Sequence, residues 1–362
     1  MNAPQHFTNM FGIDLPIIQA PMAGSSDPEL AIAVSESGGL GSLPCAMLTP
    51  DQVAASLRTI RERTTRPINL NFFCHRLPMS DPDRERRWRE HLALYYAELE
   101  IDSSATANLP NRMPFDETMC DTVVALRPDV VSFHFGLPSR SLLERVRSTG
   151  ARIISSATTV EEARWLEEEG CDAVIAQGFE AGGHRGMFLA TDPASQVGTF
   201  ALVPQIVDAV KIPVIAAGGI ADGRGIVAAF ALGASAAQIG TAYLRCPESR
   251  ASAVHRTALQ SAREDRTVIT NVITGRPARG IINRVVREVG PMSTLAPEFP
   301  RAAEALAPLR SHAEKNGSGD FSPLWAGQAA LMCREVPAGT LTKMLAEESK
   351  RLIKDLAASA AM

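Results

Sequence analysis

Short apolar runs alternate along the chain with amphipathic stretches that begin at helix-capping residues. Eight runs have the length and composition of buried strands: Leu15–Met22, Leu40–Cys45, Ile68–Phe73, Val130–Gly136, Arg152–Ala157, Ala173–Gly178, Pro213–Gly218 and Ala236–Ala242. Strands that alternate with helices form parallel sheets, and eight such units close into a barrel. We therefore predict an α/β fold whose main body is a (β/α)8 TIM barrel.

Several helix starts between these strands follow the rules for helix caps. Asp222 stands before the run GRGIVAAFALG, and an aspartate at this position can accept the free N–H groups of the first turn. Thr49 with Gln52, and Thr159 with Glu162, have the spacing of a capping box. The pattern therefore predicts helices that begin after Thr49, Thr159 and Asp222.

Two segments fall outside the repeating pattern. Residues 75–115 form a charged, helical excursion after the third strand, and residues 246–320 form an Ala- and Arg-rich stretch after the eighth. We predict that residues 1–245 form the barrel and that residues 246–320 form a smaller helical substrate domain, inserted after strand eight over the barrel mouth. Residues 321–362 are predicted to return to the barrel and to end in an amphipathic helix.

Composition narrows the class of protein. Of the 362 residues, 45% are hydrophobic and 21% are charged, and the net charge of −4 gives no reason to expect nucleic-acid binding. The chain has no run of about 18 apolar residues and no secretory signal at its start, which favours a cytoplasmic protein without a membrane span. The six cysteines and seven histidines lack the spacing of zinc ligands, so no metal is predicted.

The fourth predicted strand alternates between apolar and polar residues. Successive side chains of a strand point to opposite faces. This directs Phe133 and Phe135 toward the helices, and Ser132 and His134 toward the barrel lumen.

Polar residues on other strands extend this pattern. Asn71, Gln177 and Gln238 lie on or at the ends of three further strands and should converge with His134 at one end of the barrel, where TIM barrels carry their chemistry. Buried amides also serve as ordinary hydrogen-bonding groups in a core, so the pattern alone leaves both interpretations open for Asn71 and Gln177. For His134, the neighbouring polar strand ends favour a functional role.

The seventh and eighth strands end in glycine-rich sequences. PVIAAGGIADG places Gly218 and Gly219 before the helix start at Asp222, and QIGTAYL places Gly240 and Thr241 after the eighth strand. The loops after these two strands form the usual phosphate site of the fold, and glycines let backbone N–H groups approach an anion closely. We predict an anion site here; two plain tight turns are the alternative.

The segment GFEAGGHRGMF, residues 178–188, places His184 and Arg185 among glycines. A loop around a phosphate-bearing ligand, acid–base chemistry by His184 and a surface turn are all compatible with this composition. Its position after the sixth strand favours a loop that approaches a ligand in the barrel mouth. Arg185 is predicted to anchor the loop or to be solvated.

Seven segments together resemble the nitronate monooxygenases, formerly called 2-nitropropane dioxygenases: QAPMAG (19–24), NLNFFCHR (69–76), SFHFG (132–136), AQGFEAGGHRG (176–186), AAGGIADGRG (216–225), QIGTAYLRCPES (238–249) and GSGDFSPLWAGQAA (317–330). The AGGHRG element with SFHFG resembles the class that oxidises propionate 3-nitronate. The resemblance implies non-covalently bound FMN and a reaction of alkyl nitronates with O₂ that gives a carbonyl compound and nitrite by way of a flavosemiquinone.

The resemblance also implies the site residues. His134 matches the family's catalytic histidine and is expected to be the base toward neutral nitroalkanes; His184 is the second candidate. The phosphate of FMN is expected on Gly219, Gly240 and Thr241. The full set of expected FMN contacts is Ala20, Pro21, Met22, Asn71, Gln177, Gly182, Gly183, Gly218, Gly219, Gln238, Ile239, Gly240 and Thr241.

The chain departs from this pattern in one segment. Relatives carry tyrosines and a lysine after residue 295 in the substrate pocket, whereas PEFPRAAEALAPLRSH offers only Phe299 as an aromatic. Tyr95 and Tyr96, in the excursion after strand three, are predicted either to supply a phenol over the mouth or to pack between helices. The departure bears on the substrate and not on the cofactor.

Two other functions remain open from the sequence. The first is an NAD(P)H-dependent flavin reductase of the same superfamily, either an enoyl-acyl-carrier reductase or an NADH:quinone reductase. The second is an FMN-binding regulatory or storage protein, against which the polar lumen histidine argues.

Overall fold

The computed structural model describes residues 3–102, 112–261 and 267–360; residues 103–111 of the predicted excursion lie outside the described residues. The strands in the described ranges are β1 Ile17–Gln19, β2 Gly41–Pro44, β3 Ile68–Phe73, β4 Val130–His134, β5 Arg152–Ala157, β6 Ala173–Gln177, β7 Gly183–His184, β8 Val214–Ala217, β9 Ala236–Ile239, β10 Thr267–Thr270 and β11 Ala278–Ile281. The α-helices there are α1 Ala3–Phe11, α2 Pro28–Glu36, α3 Pro50–Arg63, α4 Pro82–His91, α5 Ala93–Glu98, α6 Glu117–Leu126, α7 Arg140–Arg147, α8 Val160–Glu168, α9 Thr199–Ala209, α10 Gly223–Ala231, α11 Ala253–Ser261, α12 Arg284–Val289, α13 Ala302–Lys315 and α14 Ala338–Ala360.

Eight strands form one parallel sheet in the order β1-β9-β8-β6-β5-β4-β3-β2. The two ends of this sheet meet at a bridge between Ile18 and Leu40, where the Gln19 N–H donates to the Leu40 carbonyl at 2.9 Å. The sheet is therefore a nearly closed, TIM-like barrel. Each of the eight predicted strands coincides with one barrel strand.

Helix caps follow the sequence with one exception. Asp222 accepts the N–H groups of Arg224 and Gly225 at the start of α10, and Thr49 forms its capping box at the start of α3. At the start of α8, Thr159 accepts the Glu162 N–H, but the Glu162 carboxylate binds elsewhere, so that half of the predicted capping box is wrong. Among the described helices, none is long and apolar enough to cross a membrane.

The two ends of the chain complete the barrel. At the start, α1 places Phe7 and Phe11 in one buried cluster with residues of the strands such as Ile18, Val130 and Ile154. At the other end, α14 packs against α10 and α2. The C-terminal helix therefore occupies the place of the eighth outer helix, and the predicted closing helix is confirmed.

The helical excursion after β3 packs on the segment that follows β9. Trp88 of α4 donates from Nε1 to the Ala302 carbonyl at 3.1 Å, and the Tyr96 hydroxyl donates to the Ala305 carbonyl at 2.6 Å. Tyr95 lies in the same buried cluster. Of the two predictions for this tyrosine pair, helix packing is therefore correct and a phenol over the mouth is wrong.

Residues 246–320 are not wholly helical, contrary to the prediction. Strands β10 and β11 form an antiparallel hairpin, and β7 adds to its edge as a third strand. The β-branched run TVIT and the turn sequence GRP (275–277), in which Gly275 has φ +91°, were the available signals. This sheet brings the loop after β6 into contact with the segment above the barrel.

We predict that Gly41→Ala destabilises the protein by about 3 kcal/mol, because a Cβ on β2 would lie 2.0 Å from the Ala31 carbonyl oxygen of α2 and force helix and sheet apart. Gly150→Ala is the matched control: that glycine has φ +87° and open space around it, so only backbone strain of about 1 kcal/mol is expected. Chemical denaturation of both variants measures the difference; equal effects would contradict the packing described here.

Candidate active site

One cavity opens at the carboxyl ends of the barrel strands and holds about 1440 Å³ of empty space, its mouth included. Both predicted catalytic histidines, His134 and His184, line it. So does every predicted FMN contact except Ile239. Parallel strands end on the same face of a barrel, which is why residues from seven segments of the sequence meet there.

Ile239 is the exception because side chains alternate along a strand. Its side chain is buried between the sheet and the helices, whereas Gln238 and Gly240 on either side line the cavity. The Ile239 carbonyl accepts the Ala20 N–H at 2.8 Å. Ile239 therefore contributes to the cavity wall only by fixing Ala20, which lines it together with Pro21 and Met22.

Two barrel strands hold the loop after β6 through one atom, the His184 carbonyl oxygen. Gln177, the last residue of β6, donates to it from Nε2 at 3.0 Å and accepts the Gly186 N–H on Oε1 at 2.7 Å. His134, the last residue of β4, lies with Nε2 3.2 Å from the same carbonyl. Both predicted polar strand ends thus contact the loop directly.

These contacts determine which nitrogen of His134 carries the proton. A carbonyl oxygen only accepts, so the Nε2 of His134 is the donor to His184. Nδ1 lies 2.6 Å from the Ser156 hydroxyl oxygen, and in a neutral ring it accepts from that hydroxyl. Both ring nitrogens of His134 are therefore engaged by the protein.

The hydrogen bonds of His184 leave one of its nitrogens available. Its Nε2 lies 2.9 Å from the Thr274 hydroxyl, and that hydroxyl can donate onward to the Arg276 carbonyl at 3.4 Å. This arrangement assigns the proton to Nε2 and a lone pair to Nδ1. Among the described residues, no hydrogen-bond donor or acceptor pairs with Nδ1 of this cavity-lining ring.

Burial keeps both histidines neutral. It lowers the pKa of His134 to about 3, an effect that the positive charge of Arg276 reinforces. It also lowers the pKa of His184 well below its ordinary value, with Arg112 as the next largest cause. Neutral imidazoles at physiological pH can accept protons but add no charge to the cavity.

Arg185 anchors the loop and is fully buried. Its guanidinium donates to the Gln177 and Gly178 carbonyls, both at 2.8 Å, and to the side-chain oxygen of Gln196. Burial lowers the pKa of Arg185 to about 9. Of the two predictions made for this residue, the anchoring role is confirmed and the solvated one is wrong.

Backbone geometry at the predicted anion site favours a closely approaching ligand. Gly218 has φ +120° and Gly219 has φ +70°, conformations that L side chains rarely adopt. The Thr241 hydroxyl accepts the Gly327 N–H at 2.9 Å, which leaves its own proton free to donate. The Oε1 of Gln238 is buried and has no hydrogen-bond partner within the described ranges, as expected where a ligand supplies the donor.

Two other predicted FMN contacts are constrained by protein alone. Asn71 donates to the hydroxyl of Ser132, its partner on the adjacent strand β4, at 2.9 Å. A Cβ on Gly182 would lie 2.5 Å from the Gly327 nitrogen. The glycine is therefore required by the neighbouring backbone, whether or not a ligand ring also approaches it.

The mouth of the cavity contains Phe299, noted above in the segment after residue 295, and Arg112, which the sequence did not single out. Phe299 packs edge-on to His184, with ring centroids 5.2 Å apart, and the Arg112 guanidinium lies 5.8 Å from the centre of the Phe299 ring. The Nη1 of Arg112 is buried without a hydrogen-bond partner among the described residues. A buried guanidinium nitrogen without a partner suits an anionic ligand, and nothing in the local sequence distinguishes this arginine from other arginines of the excursion.

Phe135 also lies at the mouth, and the prediction that it faces the helices is wrong. β4 ends at His134, and Phe135 has φ +70°, so the alternation of the strand no longer applies to it. Its ring contacts Phe73 at 4.9 Å, and the Arg276 guanidinium lies 3.9 Å from its centre.

Comparison with known proteins agrees with this geometry. The family model for nitronate monooxygenase matches residues 5–348. A nitronate monooxygenase of Pseudomonas aeruginosa is 44% identical over 344 residues, which are 94% of this chain and 98% of that one. The crystal structure of a nitroalkane oxidase from Streptomyces ansochromogenes superposes with a TM-score of 0.88 at 40% identity and covers 97% of this chain and 99% of that one.

A more distant similarity joins the chain to a second group. The structure of FabK from Thermotoga maritima has a TM-score of 0.73 at 28% identity, with 98% of each chain covered. The identity to the nitronate monooxygenase of Pseudomonas aeruginosa is substantially higher, and the family match spans the barrel and reaches into the C-terminal helix. The chain therefore belongs to the nitronate monooxygenase family of enzymes.

Proposed function

We propose that this enzyme binds FMN and oxidises alkyl nitronates of the propionate 3-nitronate type, and nitroalkanes after deprotonation, with O₂ as the oxidant. The products are a carbonyl compound and nitrite. The observation that carries the proposal is the combination, in one cavity, of a neutral histidine with an available nitrogen and a guanidinium, that of Arg112, with one buried nitrogen that has no hydrogen-bond partner among the described residues. Both suit a substrate that is an anion or becomes one.

The residues of the cavity fit FMN. Gly219, Gly240 and Thr241 would hold the phosphate, because they combine accessible backbone with a hydroxyl proton that is free to donate. Gln238 offers a buried oxygen without a partner, which suits a donor of the flavin ring. The family is generally flavin-dependent, and bound FMN would supply the electron acceptor for the nitronate.

We assign the role of proton acceptor to His184. Both nitrogens of His134 are engaged by Ser156 and by the His184 carbonyl, whereas the Nδ1 of His184 has no such partner among the described residues. His134 would then hold the loop in place, and His184 would take the proton from a neutral nitroalkane. For a nitronate, which is already deprotonated, His184 needs only to orient the substrate.

Arg112 supports a substrate that carries a second negative charge. The residue lines the cavity, is separated from His184 by Phe299, and has a buried nitrogen without a partner. A carboxylate at the far end of a short alkyl nitronate would pair with this guanidinium. The pairing would take the place of the tyrosines and the lysine that relatives carry in the substrate pocket after residue 295.

An NAD(P)H-dependent flavin reductase is the second candidate function, favoured by the similarity to FabK. Anaerobic mixing of the yellow protein separates the two. We expect propionate 3-nitronate to bleach the flavin rapidly and NADH or NADPH to leave it oxidised. Rapid bleaching by a nicotinamide and none by the nitronate would establish the reductase instead. If neither the nitronate nor a nicotinamide reduces the flavin, the protein is better explained as an FMN-binding regulatory or storage protein.

We predict that His184→Asn lowers kcat/KM for a neutral nitroalkane by about 100-fold or more, the usual contribution of a general base, and has a smaller effect on the pre-formed nitronate. His134→Asn should lower kcat/KM for the nitroalkane by only about tenfold, because it loosens the loop that positions the base without removing the base. Oxygen uptake with each substrate measures this. If only His134→Asn, and not His184→Asn, selectively lowered kcat/KM for the nitroalkane, His134 would be the base instead.

We predict that kcat/KM for a nitroalkane shows no inflection near pH 6.5, the ordinary histidine pKa. A base must be neutral to accept a proton, and a lowered pKa keeps His184 neutral as the pH falls, so the acidic limb moves to lower pH. A pH profile from 5 to 8 tests this. An acidic limb centred at about 6.5 would contradict the burial of the base.

We predict that Arg112→Gln raises KM for propionate 3-nitronate by about tenfold to 100-fold, which corresponds to the free energy of one charge-assisted hydrogen bond. KM for ethyl nitronate, which has no carboxylate, should change by less than about threefold. Arg86→Gln, on the exposed face of α4, is the control for removal of one positive charge. Equal effects on the two nitronates would exclude Arg112 as the carboxylate partner.

A further inference from the structure

Glu162 is a fully buried carboxylate to which the preceding mechanism assigns no role. It occupies the third position of α8 and has an exposed fraction of 0%. A carboxylate is rarely buried unless its oxygens are paired or accept several hydrogen bonds. The contacts of Glu162 therefore indicate what holds it there.

The two oxygens of Glu162 bind different parts of the chain. Oε2 accepts the backbone N–H and the hydroxyl of Thr158, both at 2.7 Å. Oε1 accepts the N–H groups of three successive residues, Phe188 at 2.6 Å, Leu189 at 3.0 Å and Ala190 at 3.4 Å. One side chain thus joins the end of β5 to the turn at residues 188–190.

This turn is the downstream end of the loop that carries His184. Upstream, Gln177 and His134 hold the loop at the His184 carbonyl. Between the two anchors, a Cβ on Gly186 would lie 2.9 Å from the His134 ring, so the backbone passes directly against that ring. A shift of the turn would therefore be transmitted to the contact between the loop and His134.

The same carboxylate belongs to a chain of hydrogen bonds that ends on Arg185. The Thr158 hydroxyl accepts from Nε2 of Gln196 at 2.8 Å, and Oε1 of Gln196 accepts from Arg185. The negative charge of Glu162 also stabilises the buried cations of Arg185 and Arg276. Removal of the charge would leave two guanidiniums near the site without this compensation.

We propose that Glu162 is a positioning residue of the active site: it fixes the turn at 188–190 so that His184 is held where it can take a proton from the substrate. The proposal rests on the proposed function for its kinetic consequence only. The expected loss concerns proton abstraction from a neutral nitroalkane, which needs a precisely placed base. A pre-formed nitronate requires no such step.

The test compares Glu162→Gln and Glu162→Asp with Glu161→Gln. Glu161 is the exposed neighbour in the same first turn of α8, so its variant removes the same charge without these contacts. Glu162→Gln keeps the volume but turns an N–H₂ group toward N–H donors. Glu162→Asp keeps the negative charge but has a side chain one methylene shorter, which cannot reach both sets of donors. This variant tests the proposal if Glu162→Gln does not fold.

Hydrogen exchange of the folded proteins is the first measurement. We expect the amides of residues 188–190 to exchange at least about tenfold faster in both Glu162 variants, while the strands of the barrel keep their protection. Glu161→Gln should exchange like the wild type. Unchanged exchange at 188–190 in both Glu162 variants would overturn the proposal.

Kinetics provide the second measurement, because a purely structural role would not change substrate preference. We expect the ratio of kcat/KM for a nitroalkane to that for its nitronate to fall about tenfold in the Glu162 variants, mainly through kcat. Faster amide exchange at residues 188–190 with an unchanged ratio of kcat/KM would show that Glu162 has a structural role only, and would overturn the proposal that it positions the base. If the wild type oxidises neither substrate, the proposed function fails, and the exchange data still decide whether Glu162 holds the turn.

Discussion

The carbonyl oxygen of His184 accepts hydrogen bonds from the last residues of two barrel strands, Gln177 of β6 and His134 of β4. Because a carbonyl cannot donate, this contact fixes the proton of His134 on Nε2 and commits its other nitrogen to Ser156. The same contact holds the loop so that the ring of His184 lines the cavity. Both ring nitrogens of His134 are therefore engaged by the protein, whereas the Nδ1 of His184 has no partner among the described residues.

In the site, burial and hydrogen bonds to neutral groups determine the charge states of the side chains more than ion pairs do. Arg185 is satisfied almost entirely by neutral oxygens, and Glu162 entirely by N–H and hydroxyl groups. Burial lowers the pKa of both histidines, which leaves them neutral. Near the mouth, Nη1 of Arg112 and Nε of Arg276 are buried nitrogens without a hydrogen-bond partner among the described residues.

Local periodicity was enough to predict the barrel, because each strand carries its own apolar run and each cap lies beside its helix. It also placed Gln177 and Gln238 at the cavity, since alternation within a strand is a local property. Contacts between residues far apart in the sequence could not be predicted from local periodicity. Glu162 has the spacing of a capping box, yet its carboxylate binds residues 188–190, and Phe135 turns into the mouth once the strand ends. Arg112 carries no local signal that separates it from a solvated arginine.

The central claim is that His184 offers the free nitrogen and that His134 does not. Nitrogen-15 NMR of the protein with labelled histidine tests it most directly, because the shifts of Nδ1 and Nε2 report protonation and hydrogen bonding separately. The account predicts that both rings are neutral from pH 5 to 8, protonated on Nε2, with only the Nδ1 of His184 free of a donor. A His184 ring protonated on Nδ1, or one that titrates near pH 6.5, would contradict it.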